Sequence, residues 1–322
     1  MKCWVIGCST MHQAMWQDVE KLDDAVYVDG VFSEKNHMRL QLKKILIEFG
    51  KKGLLPRLLK RFAYSCFSLN DLKYTGRDDY IILVDNRVGW YPMEYLDYMK
   101  KKFGLKYVLI YLNPYDLCGS EVKEFQKRAD IIFSYDKKDS EKYGFEHIIS
   151  VYSSSFLNKY RNMEKEIESD ICYVGGEGGR LKEQLKVFSA IERGNVKYDF
   201  TIVGVKETEQ LYQDKINYSI PLTYEDYIMK EAKSNTILEI LDKRHTGITL
   251  RTLEAILLNK KLVTNNVNLS DMPFYNPSFM KIFKEPKDID FEFVKKKEEV
   301  HYDYHEECSP VRVIERIREL CT

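Results

Sequence analysis

The chain has 322 residues, 44% hydrophobic and 31% charged, with fifty Lys plus Arg against fifty Asp plus Glu. That length is long for one core and predicts two domains. With zero formal charge nothing suggests a general nucleic-acid binder, and no apolar run reaches the roughly 20 residues of a membrane-spanning helix. Seven scattered cysteines form no CxxC pair, and their odd count argues against a disulfide framework. The start, "MKCWVIGCSTMH", lacks the apolar core of a secretory signal, so a reduced, cytoplasmic protein is expected.

In chain order, "CWVIGC" reads as a first strand, followed by the polar loop "STMHQ", and "AVYVDG" as a second. "KKILIEFGKKGLLPRLLKRFAYSCF" (43–67) is the one segment both basic and apolar. Leu54, Leu55, Leu58, Leu59 and Phe62 interleave there with Lys51, Lys52, Arg57, Lys60 and Arg61. It reads as helices packed on a sheet or, alternatively, as a peripheral contact with an anionic membrane surface or a lipid-linked acceptor. "YIILVDN", "YVLIYLN" and "ADIIFSYD" are apolar runs of strand length ending in polar residues. Between them "MEYLDYMKKKFG" and "KKDSEKYG" read as helices stopped by Gly, the second capped by Asp136 or Asp139. Buried runs alternating with helices indicate a parallel sheet covered on both faces.

The polar stretch "SSSFLNKYRNMEKEIESD" (153–170) suits an inter-domain connection. A second alternating unit follows: "ICYVGG", "RLKEQLKVFSAIERG", "YDFTIVGV", "YEDYIMKEAKS", "TILEIL", "LRTLEAILLNK" and "KLVTNN". The tail "SPVRVIERIREL" reads as an amphipathic helix with Val311, Ile314, Ile317 and Leu320 on one face. The expected division is 1–155, 156–308 and a terminal helix over 309–322. Two doubly wound α/β domains facing a central cleft would hold ligands beyond the carboxyl ends of their strands.

One residue stands against its surroundings. Glu254 interrupts the apolar run "LEAILL", where a carboxylate costs free energy unless paired. With a helix starting near Thr249, Arg251 lies three residues away on the same side, so a local ion pair is the plain reading. The preceding loop "HTGIT" supports another: exposed N–H groups at a helix start suit a phosphate, and Glu254 one turn in suits ribose hydroxyls. Arg251 would then hold a phosphate or steady the Glu. A second loop, "YVGGEGGRLKEQ", sets Gly175, Gly176, Gly178 and Gly179 before Arg180 and Lys182. It is neither a Walker A sequence nor a strict GxGxxG, and alone it is compatible with a surface turn. Two such loops in one domain point to a nucleotide diphosphate.

In the first half, polar residues gather at strand ends: Ser9, Thr10 and His12; Asp85, Asn86 and Arg87; Asn113 and Asp116; Asp136 and Asp139. A general base belongs at such a place, and Asp85 and His12 are the candidates, with Asn113 and Asp116 towards an acceptor. For any one of them, capping or bracing a loop is the more ordinary role. The only local His cluster, "HYDYHEE", suits a surface loop better than a metal shell, so no metal is expected.

"FSYDKKDSEKYGF", "DICYVGGEGGRL" and "HTGITLRTLEAILLNKKLVTNN", in that order, resemble a family of bacterial glycosyltransferases encoded in lipopolysaccharide-core, O-antigen and capsule clusters. The likeness covers 129–276 and is most specific at Gly247, Thr249, Arg251, Glu254, Lys260, Lys261, Asn265 and Asn266. It implies a GT-B architecture, with nucleotide-sugar donor in the C-terminal domain, a saccharide or lipid-linked saccharide acceptor in the N-terminal one, and no obligatory metal. It places Glu254 on the ribose and Gly175, Gly176, Arg180, His245, Gly247 and Thr249 around the donor. His245 stands where many relatives have Gln. The implied reaction is displacement at the anomeric carbon, with inversion favoured. The alternatives are a nucleotide-sugar-modifying enzyme and a catalytically silent binding subunit.

Overall fold

The computed structural model describes every residue except 8, 36–39, 52–56, 77, 162–165, 219–221, 243 and 322. The chain divides into two compact units, Met1–Ser153 with Cys308–Thr322, and Ser154–Glu307. Each is built on its own parallel sheet.

The first unit contains β1 (Cys3–Gly7), α1 (Thr10–Trp16), β2 (Ala25–Asp29), α2 (Leu40–Lys51), α3 (Arg57–Tyr64), β3 (Tyr80–Val84), α4 (Asp85–Val88) and α5 (Met93–Phe103). It continues with β4 (Lys106–Tyr111), α6 (Ser120–Gln126), β5 (Ile131–Ser134), α7 (Lys137–Tyr143) and β6 (Glu146–His147). The strand order is β2-β1-β3-β4-β5-β6. β3 and the last five residues of β4 are buried, which is why their sequences run apolar without alternation. Gly104 ends α5 in the left-handed region, and Asp136 caps α7 through the Lys138 and Asp139 N–H groups.

The second unit comprises α8 (Ser154–Arg161), β7 (Ser169–Gly176), α9 (Leu181–Arg193), β8 (Tyr198–Val203), α10 (Tyr224–Ala232) and β9 (Ser234–Glu239). α11 (Leu250–Leu257), β10 (Lys261–Thr264), β11 (Met280–Ile282) and α12 (Phe291–Lys295) complete it. Its order is β11-β10-β9-β7-β8. The closing helix α13 (Pro310–Glu319) belongs to the first unit, where Arg318 pairs with Asp24 and Arg316 with Glu146.

Three local expectations need correction. "STMHQ" opens a helix instead of a loop, because Ser9 caps α1 by accepting the His12 N–H. The stretch expected to be a polar connector contains α8, whose Phe156, Leu157 and Tyr160 form a buried stripe. In α13 the buried side chains are Pro310, Val313, Ile314 and Ile317, whereas Val311 is half-buried and Leu320 exposed.

The topology marks one crevice in each sheet. β1 pairs with β2 on one side and β3 on the other; β7 likewise pairs with β8 and β9. Chain connections leave in opposite directions at these two points, so the loops after β1 and β3, and after β7 and β9, part at the carboxyl edge.

Candidate functional site

In the second unit the crevice is bordered by Gly176–Arg180 after β7 and by 240–249 after β9. Gly178 and Gly179 adopt φ of 51° and 78°, the left-handed conformation that favours glycine, and turn the chain into α9. Gly175 serves packing: a Cβ there would lie 2.4 Å from the Tyr173 hydroxyl oxygen. Arg180 donates from Nη1 to the Ile240 carbonyl at 2.7 Å, and from Nη2 and Nε to the Gly176 carbonyl at 3.3 and 3.4 Å. Gln184 Nε2 donates to that same Gly176 carbonyl at 2.9 Å. The Arg180 cation is thus fixed by carbonyl groups at the mouth of the crevice.

The facing loop is held from β10. Asn265 Oδ1 accepts the Leu241 N–H at 2.6 Å, Asn266 Nδ2 donates to the Gly247 carbonyl at 3.0 Å, and Asn268 Nδ2 to the Thr246 carbonyl at 2.9 Å. His245 lies in the same loop, its N–H on the Asp242 carbonyl at 2.9 Å. Thr249 caps α11 by accepting the Arg251 N–H at 3.2 Å. With these carbonyls engaged and the helix start turned to the crevice, the loop can offer N–H groups and a positive helix end to an anion.

Thr249 is itself anchored by a residue missed in the sequence. Its hydroxyl donates to Glu239, a fully buried carboxylate at the end of β9. Thr252 donates to the same oxygen at 3.2 Å and Thr264 to the other at 2.5 Å. Glu239 ends the apolar strand "TILE" and is as incongruous there as Glu254 is in its helix; that was the available signal.

Arg251 and Glu254 lie behind this loop, against α10. Glu254 is 1% exposed, with Oε1 accepting from the Tyr224 hydroxyl and Oε2 from the Tyr227 hydroxyl at 2.7 Å. Arg251 Nε donates to the Tyr227 oxygen at 3.1 Å, and Nη2 donates to the Val174 carbonyl. Its ion pair is to buried Glu231, at 3.4 Å, instead of the local pair with Glu254 that spacing suggests. Burial, reinforced by the Glu254 carboxylate, holds Glu231 well above the usual carboxylate range; burial also raises Glu254. One cation facing two buried carboxyls leaves this cluster best balanced with one of them protonated.

In the first unit the corresponding crevice gathers His12 and Arg87, with Asp85 beside them. Buried His12 meets the Ser9 hydroxyl oxygen at 3.0 Å through Nδ1, which also accepts from Arg87 Nε at 3.4 Å. Burial, then the Arg87 charge, lowers its pKa to about 4, so the ring is neutral at pH 7. Asp85 is a brace. It accepts from the Asn86 N–H at 2.6 Å, the Leu112 N–H at 3.1 Å, and both the Asn113 N–H and side-chain amide at 2.9 Å. Burial raises its carboxyl above the usual range despite these donors. Asn113 is therefore joined directly to Asp85, while Asp116 is exposed on the same loop. His12 and Asp85 are held by different partners.

His301 and His305 are exposed and pair with Glu299 and Asp303 at 3.0 and 2.9 Å. Among the described residues no three His, Cys, Asp or Glu side chains gather as a metal site, and no helix is long and apolar enough to cross a membrane.

No protein-family model and no curated protein matches the chain. Solved structures do. An S. aureus MnaA–UDP co-structure superposes with a TM-score of 0.54 at 12% identity, over 100% of this chain and 97% of the other. A putative UDP-N-acetylglucosamine 2-epimerase from Listeria monocytogenes gives 0.54 at 10%, over 99% and 96%. An alpha-glucosyltransferase in complex with UDP and a 13-mer DNA gives 0.53 at 13%, over 91% and 89%. The fold is GT-B-like, two parallel-sheet α/β domains.

Proposed function

We propose that the protein is a glycosyltransferase that binds a nucleotide-sugar in its second unit and moves the sugar to a saccharide or lipid-linked saccharide of a bacterial surface glycan. The observation that carries this reading is the Arg180–Ile240 bond, which pins a glycine loop and a helix-opening loop to each other at a sheet's switch point. The leaving diphosphate would lie between Arg180 and the Gly247–Thr249 backbone, where fixed positive groups stabilise the departing charge. Uridine nucleotides bound in structures of the same fold support the donor class. Glu254 would take the ribose only by exchanging the Tyr224 hydroxyl for a ribose hydroxyl. In the first unit both candidate bases are engaged: the Asp85 oxygens face four N–H donors, and His12 would accept a proton at Nδ1 only by exchanging the Arg87 N–H for the acceptor hydroxyl. The reading includes a cytoplasmic location, no metal requirement and displacement with inversion.

A thermal-shift panel of UDP, GDP, dTDP, CDP and CMP derivatives tests it: one nucleotide class should stabilise the protein. No stabilisation by any of them would remove the proposal. The second reading, a nucleotide-sugar-modifying enzyme, is favoured by the full-length likeness to the Listeria epimerase structure. It predicts turnover of a nucleotide-sugar without acceptor and without release of free nucleotide.

A further inference from the structure

Helices α2 and α3 carry side chains that the donor site does not use. α2 packs inward through Lys43 and Ile47, and Lys43 Nζ donates to the Ser33 carbonyl at 2.8 Å. Its opposite side presents Leu42, Ile45 and Phe49, about half exposed and spaced three and four residues apart. That spacing makes one stripe along the helix. α3 packs against α2 and repeats the arrangement, with Ala63 buried and Leu59 and Phe62 exposed. Tyr98 of α5 extends the patch; its ring lies 5.9 Å from that of Tyr64 on α3 and it is 43% exposed. These six are half of the twelve large hydrophobic side chains exposed among the described residues. Scattered singly they would need no cause; gathered on adjoining helices they mark an interaction surface.

The charge around them is one-sided. Residues 40–64 hold seven Lys or Arg and one Glu, a net of six positive charges in a chain whose total is zero. Lys43 is turned inward and Lys60 pairs with Glu94 at 2.6 Å. Lys44 and Arg61 are exposed, and Lys102 is exposed over the Tyr98 ring at 5.4 Å. Leu, Ile and Phe along two helices, flanked by cations and a tyrosine, match the composition of an interfacial segment. A second copy is a poor occupant, because a two-fold pairing would oppose the same cations.

We propose that the outer face of α2 and α3, with Tyr98, rests on an anionic bilayer surface, the apolar stripe entering the headgroup boundary and the cations meeting lipid phosphates. This inference is independent of the donor reading.

The full chain is floated with vesicles of phosphatidylcholine, and of phosphatidylcholine mixed with phosphatidylglycerol. The protein is expected to float with the mixed vesicles only, and added salt should release it. Lys44→Gln combined with Arg61→Gln should lower partitioning roughly thirty-fold, from the usual contribution of each cation near a charged surface. Ile45→Ser combined with Phe62→Ser should lower it at least about ten-fold. Both variants should keep the wild-type melting temperature and the wild-type response to nucleotides, which separates this surface from the donor site. Absence of binding to mixed vesicles, equal binding to neutral ones, or variants whose sole effect is to dissolve an oligomer would each overturn the proposal.

Discussion

Arg180 and Ile240 are sixty positions apart in sequence, yet Nη1 of the one donates to the carbonyl of the other across 2.7 Å. The bond joins the loop after β7 to the first residue past β9, so the two sides of the crevice are spaced before any ligand arrives. A cation held in place by carbonyls loses little freedom on meeting a diphosphate. Arg180→Ala should therefore weaken binding of the preferred nucleoside diphosphate by about ten- to a hundred-fold, the scale of one charge-assisted hydrogen bond. Calorimetric titration measures it. An affinity equal to wild type would detach Arg180 from the donor.

Tyr224 separates two roles for Glu254. Tyr224→Phe removes the hydroxyl that donates to Glu254 Oε1 in the free protein, at a cost of about 1–2 kcal/mol. If a ribose hydroxyl takes that place, the nucleotide restores the bond and binds roughly ten-fold tighter than to wild type. A loss of stability with unchanged affinity would mean that Glu254 only pairs α11 with α10. Glu254→Ala should cost about 3 kcal/mol of stability in either case, because the Tyr224 and Tyr227 hydroxyls lose their acceptor together.

His12 predicts a pH dependence. Its folded-state pKa is about 4 against an ordinary 6.5, so between those values the unfolded chain binds the extra proton. Stability is then complete above pH 6.5 and declines as pH falls towards 4, by about 3 kcal/mol in all. Denaturant titrations of wild type and His12→Gln across that range should show a shallower acid loss in the variant. Parallel curves would contradict the neutral, buried assignment.

The Asp85 carboxylate organises the loop that carries Asn113. Asp85→Asn replaces an acceptor facing four N–H donors with an amide that must turn one of its own N–H groups towards them. The expected loss is about 1–3 kcal/mol of stability, accompanied by reduced turnover. Donor affinity should stay close to wild type, since Asp85 lies in the other unit. Full activity with wild-type stability would dismiss both the brace and any part in transfer.

The strands were legible because they are continuous apolar runs: "YIILV" is β3, and "ICYVGG" is contained in β7. A helix start near Thr249 and a cap from Asp136 or Asp139 followed from the chemistry of helix starts; Thr249 proves to cap α11, and Asp136 is the cap of α7. What escaped depends on distance along the chain. Spacing paired Arg251 with Glu254, but a fold that sets α10 beside α11 brings Glu231 to Arg251 and two tyrosines to Glu254. Glu239 meets threonines from three places in sequence, and no local window contains them. His12 looked like a loop residue because one serine cap converts a short polar stretch into a helix. Part of the basic segment, 52–56, lies outside the described residues.

A crystal structure with the nucleoside diphosphate that gives the largest thermal shift would decide the donor assignment. The diphosphate should sit beyond the carboxyl ends of β7 and β9, within hydrogen-bond distance of the Arg180 guanidinium and the Gly247–Thr249 backbone. Density for the nucleotide at any other place on the second unit, or on the first, would contradict it.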